Sequence, residues 1–162
     1  MPHIKGNPVK ATPDLGLRGV ELLDKIIEII EAHPEMHNQR SWAVITNVPG
    51  LSCNWDQDID GDSVPESCGT AMCVAGWAAH LCGGQFRFYA MRRWNGMELS
   101  ASKVSRVDDG TTVAISEFAS HVLGLNPYDA GVLFDEDNSL DRIKEFRDKI
   151  ANGEPIYLPE ED

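Results

Sequence analysis

Four cysteines, Cys53, Cys68, Cys73 and Cys82, stand close in sequence to His80. Thiolate and imidazole are the donors of tetrahedral zinc sites. The spacing disfavours that use, because on one helix Cys73 and His80 are about two turns apart whereas Cys73 and Cys82 are about two and a half. The ligands would not face one point. Buried thiols are the expectation, since free cysteine is among the most buried residue types. A Cys68–Cys73 disulfide is disfavoured in a reducing compartment. Cys68 also allows a thiol-enzyme reading. It precedes a helix N-terminus, where the dipole lowers a thiol pKa, and Gln39, His33 or His121 would serve as oxyanion donor or base.

A second chemistry lies in Asp56-Gln-Asp-Ile-Asp-Gly-Asp62, which sets Asp56, Asp58, Asp60 and Asp62 at alternate positions around a turn-making glycine. The first half of a calcium loop has this form. The second half departs from it: Ser67 stands where a bidentate carboxylate would close the coordination sphere, Glu66 comes one residue early, and Pro65 stiffens the approach. Weak Ca2+ binding is therefore an alternative to a solvated acidic loop, and no other cofactor is expected. Two tryptophans complete the set. Trp55 sits among carboxylates and Trp94 follows Arg92 and Arg93, a composition that suits protein contacts, which favour Trp and Arg.

The elements that must position these residues are mostly helical. Ala71 to Cys82 is apolar all round, which places a helix over 71–82 in the middle of a domain, with Thr70 as N-cap and Gly83-Gly84 as its left-handed stop. Thr12-Pro13 opens an amphipathic helix over 13–33, whose stripe is Val20, Leu23, Ile27 and Ile30 flanked by Leu22, Ile26 and Ile29; Pro34 ends it. His33 to Trp42 reads as a turn or short helix, and Ala43 to Gly50 as a short strand. Leu51 to Ser67 reads as a loop. Gln85 to Tyr89 alternates like a strand, and Asp108-Asp109-Gly110 predicts a small hairpin between 104–107 and 111–115. The last helices carry Ile115, Phe118 and Val122 up to Gly124, then Ala130, Leu133 and Phe134 after Asn126-Pro127, then Leu140, Ile143, Phe146 and Ile150 after an Asn138 cap. The expected fold is one mainly α domain over 12–158 around the central helix, with a small β-hairpin, a mobile arm at 1–11 and an acidic tail at 159–162.

His33-Pro-Glu, Gln39, Trp42, Cys68-Gly-Thr-x-x-Cys-Val-Ala-Gly-Trp-Ala, Leu123-Gly-Leu and Leu133-Phe-Asp-x-x-Asn-Ser-Leu140 run through most of the chain. Together they resemble a group of small uncharacterised proteins from actinobacteria and their bacteriophages, mycobacteriophages among them. The resemblance implies a structural core motif of Gln39, Trp42, Cys68, Gly69, Thr70, Cys73, Gly76 and Trp77, and a phage-encoded origin; it implies no reaction. In that group Trp42 and Cys68 are closer together, so 43–67 looks like an acidic insertion.

The chain has 162 residues and a formal net charge of −12. That charge argues against direct contact with nucleic acid, whose binding rests on cations at phosphates. No apolar run approaches membrane-spanning length, and the first residues lack the core of a signal peptide, so a bacterial host cytosol is the expected location. The functional expectation is an accessory protein that binds a host or phage protein, with Trp55, Arg92, Arg93 and Trp94 as contact residues. Opposite charge on the two contact segments makes a homodimer a second form of it. The alternatives are the cation module at Asp56–Asp62 and the thiol enzyme at Cys68.

Overall fold

A computed structural model describes residues 14–46, 58–60, 71–93, 96–106 and 110–158. The central apolar segment is helix α2, Val74–Leu81, and every residue of it is buried. Helix α1, Gly19–Ala32, lays Leu22, Leu23, Ile26, Ile27, Ile29 and Ile30 inward, which is the predicted stripe apart from Val20, half-buried in the first turn. A single 3-10 turn, Pro34–Met36, follows it. Helices α3 (Ile115–Leu123), α4 (Pro127–Leu133) and α5 (Leu140–Ala151) complete the helical part. Arg147 of α5 donates two hydrogen bonds to the Asp24 carboxylate of α1, at 2.6 and 2.9 Å, and Lys144 pairs with Glu31.

The sheet exceeds the small hairpin expected. Strands β1 (Ala43–Thr46), β2 (Asp58–Asp60), β3 (Gly84–Arg93), β4 (Gly96–Arg106) and β5 (Thr112–Ala114) form an antiparallel sheet in the order β1-β4-β3-β2, with β5 also on β4. The fold is therefore mixed, with five α-helices over one sheet among the described residues. The β4–β5 pair is the hairpin predicted around Asp108-Asp109-Gly110, in the register Lys103↔Ala114 to Ser105↔Thr112. The longer β3–β4 ladder runs from Gly84↔Arg106 to Arg93↔Gly96 with one register shift beside Arg87. Phe86, Phe88, Leu99, Ala101 and Val104 bury the core face of that ladder.

Three helix boundaries differ from the sequence expectation. Helix α1 starts at Gly19 rather than near Pro13, because Gly16 (φ 76°) and Gly19 (φ 59°) adopt left-handed backbone and the Asp14 carboxylate accepts from the Gly16 N–H. Helix α2 starts at Val74 rather than Ala71. Ala71 and Val44 exchange backbone hydrogen bonds, and the Met72 N–H donates to the Met36 carbonyl, so both residues are spent on extended pairing. Helix α5 is capped by Ser139, whose Oγ accepts from the Arg142 N–H, while Asn138 donates instead to the carbonyls of Val132 and Leu133. The Asn126 cap of α4 and the left-handed stop at Gly124 stand as predicted.

The arm at 1–11, the Thr12 and Thr70 caps and the tail 159–162 lie outside the described residues. Within the stretch read as an acidic insertion, 43–46 and 58–60 are strands of the sheet.

Candidate functional site

The described part of the core motif forms one joint between helices. Gly76 sits against the backbone of Trp42 so closely that a Cβ there would overlap the Trp42 carbonyl and meet the Met72 Cβ at 2.9 Å. One turn below, the Cys73 N–H donates to the Ser41 carbonyl. One residue on, the Trp77 indole N–H donates to the Met36 carbonyl at 3.2 Å. These three contacts hold the 36–42 segment flat on α2. Gln39 then ties the same segment to the end of α4: its Nε2 donates to the Leu133 carbonyl at 3.3 Å and the Asp135 carbonyl at 3.1 Å. With the amide nitrogen so engaged, Gln39 Oε1 accepts from His37 Nε2–H at 3.0 Å. The Trp42 ring meets Phe134 edge to face, with centroids 6.2 Å apart.

The joint has the chemistry of a core. Burial pushes the Cys73 thiol up to about 11, so it stays protonated at neutral pH and forms an inert wall of the roughly 300 Å3 hollow between Gln39, Trp42 and Phe134. Burial also pushes Cys82 up to about 11, against the opposing pull of Arg18, whose Nη1 lies 3.4 Å from its sulfur. His80 is buried between Trp77 and Phe86, stacked on the latter at 6.3 Å. Desolvation lowers its pKa to about 4. Among the described residues no group of three His, Cys, Asp or Glu side chains converges as for a metal ion.

Other predicted residues fall elsewhere. Arg92 and Arg93 take positions opposite Met97 and Gly96, at the far end of the β3–β4 ladder. Asp58 and Asp60 lie on the extended edge strand β2, opposite Tyr89 and Arg87, rather than on a coiled loop. Trp55, Trp94, Asp56, Asp62, Cys53, Cys68, Gly69 and Thr70 lie outside the described residues.

The structure adds a site that the sequence reading missed. On the sheet face opposite Phe86 and Phe88 lies a groove of about 700 Å3, lined by the cations Arg40, Arg87 and Lys103. Ser41, Ser100, Ser102, Thr112, Trp42 and Tyr89 complete its lining. The signal was present in the alternation of Gln85 to Tyr89, which buries Phe86 and Phe88 and so turns Arg87 and Tyr89 outward. Lys103 and Arg40 come from separate segments that only the folded chain brings together.

No helix of the described residues is long and apolar enough to cross a membrane. No protein-family model, curated protein or solved structure matches the chain.

Proposed function

We propose that this chain is a small acidic accessory protein that acts by binding another protein, phage-encoded and working on a host or phage protein in the bacterial cytosol. The supporting observation is the outer edge of β3. Strand β2 takes up only Arg87 to Tyr89 of that edge, and among the described residues Ala90–Arg93 has no strand neighbour there. An unpaired strand edge presents N–H and C=O groups to an incoming strand, which is a common mode of protein recognition. Arg92 and Arg93 belong to that stretch, and Trp94 follows them in the sequence. The motif around Gly76 and Trp42 supports the same reading by its chemistry, because its conspicuous residues are engaged in holding helices together.

The test replaces Trp55 and Trp94 by alanine in turn and confirms folding by circular dichroism. Each variant is then compared with wild type for oligomeric state and for proteins retained from host lysate. Loss of a retained protein, or of a dimer, in either variant is the expected result. Unchanged capture and oligomeric state in both would contradict the contact surface, and Cys68-dependent turnover of a small molecule would replace it with a thiol enzyme.

A further inference from the structure

We infer that the groove on the outer sheet face binds a phosphorylated small molecule, seating the phosphate between Arg40 and Lys103 and a flat ring against Tyr89. This goes beyond protein binding and needs none of the residues proposed for it. The first support is charge. The chain carries 26 acidic against 14 basic residues, yet three cations, Arg40, Arg87 and Lys103, line this one groove.

Pairing separates two of these cations, Arg40 and Lys103, from the described helix cations other than Lys149. Arg18, Lys25, Arg142, Lys144 and Arg147 each hold an ion pair with a carboxylate. Arg40 and Lys103 have none among the described residues, and both are exposed. Asp58 and Asp60 of β2 stand opposite Tyr89 and Arg87, which leaves the Arg40–Lys103 side as the anchor for an anion.

The remaining lining fits the rest of such a ligand. Ser41 and Ser102 supply hydroxyls that donate to phosphate oxygens or accept from a sugar. Tyr89 is 39% exposed, so part of its ring is open to solvent. At about 700 Å3 the groove is of the size that holds a nucleotide or sugar phosphate and is lined for one. The net charge of −12 opposes a long polyanion, which would meet repulsion beyond the groove, whereas a small ligand stays within it.

Calorimetric titration of the full chain at low ionic strength provides the test, using AMP, ribose 5-phosphate, inorganic phosphate and adenosine as probes. Binding of AMP or ribose 5-phosphate is expected, tighter than inorganic phosphate, with adenosine weakest. Tighter AMP than ribose 5-phosphate assigns the ring to the groove as well. Lys103→Gln and Arg40→Gln should each weaken binding about tenfold, the worth of one charge-assisted hydrogen bond. Lys149→Gln, which removes the same charge from α5, should leave it unchanged. The inference is overturned if no phosphorylated probe binds up to about 10 mM, if adenosine binds as well as AMP, or if Lys149→Gln weakens binding as much as the two groove variants.

Discussion

Gly76 and Trp42 meet backbone to backbone: the helix α2 glycine faces the Trp42 carbonyl with no room between them for a methyl group. This contact explains why the Ala-Gly-Trp run needs glycine at a helical position where alanine has the better intrinsic propensity.

Gly76→Ala should therefore destabilise the fold by about 1–3 kcal/mol or more, since the obstructing atoms are backbone and cannot rotate away. Gly131 is the matched control. It also lies inside a helix, and a Cβ there meets nothing within 4 Å. Gly131→Ala should be neutral or should stabilise by up to about 1 kcal/mol. Urea unfolding of both variants checks the pair, and equal effects would show that helix propensity rather than the Trp42 contact decides.

Buried His80 should make the protein acid-sensitive. Burial holds its folded pKa at about 4 against the ordinary 6.5, so below 6.5 the unfolded chain takes up a proton that the folded chain refuses. The contribution is whole above pH 6.5 and is lost as pH falls towards 4, by roughly 3 kcal/mol in all. Asp14 and Asp24 are held below 3.8 by hydrogen bonds from Arg18 and Arg147, so their losses come mainly below pH 4. Urea midpoints measured across this range should slope steeply in wild type and less in His80→Leu. Equal slopes would remove His80 as the cause.

The thiols should behave in the opposite sense. Cys73 and Cys82 titrate near 11 when folded and near 9.0 when free, so their contribution is present below pH 9 and is lost as pH rises towards 11. At neutral pH both should resist iodoacetamide until the protein unfolds, as read by mass spectrometry of the labelled peptides. Rapid labelling of Cys73 in the folded protein would mean that the joint around α2 opens.

Much of this architecture was legible in the sequence, where one face of an element is apolar. The α1 stripe, the Gly124 stop, the Asn126 cap and the burial of 74–81 all follow from local patterns. The part of strand β4 before Val104 did not, because the pattern changes phase: Leu99 and Ala101 are two apart, whereas the next buried residue, Val104, is three further on. The register step from Arg87↔Lys103 to Phe88↔Ala101 leaves Ser102 without a partner and accounts for the break. Strand β2 was hidden for another reason. Asp58 and Asp60 have low strand propensity, and the pairing with Arg87 and Tyr89 that orders them is long-range. The Gln39 bond to Leu133 and Asp135 bridges 94 and 96 residues, so the motif could be seen in sequence while its role as a joint could not.

Site-specific photo-crosslinking tests the binding reading most directly. A photoreactive residue is placed at Arg93, on the open end of β3, and in a second variant at Glu145, on the exposed face of α5, and both are irradiated in the native host. The account predicts a discrete adduct from position 93, either with another protein or with a second copy of this chain, and none from position 145. Adducts from position 145 alone, or the same diffuse products from both, would contradict it.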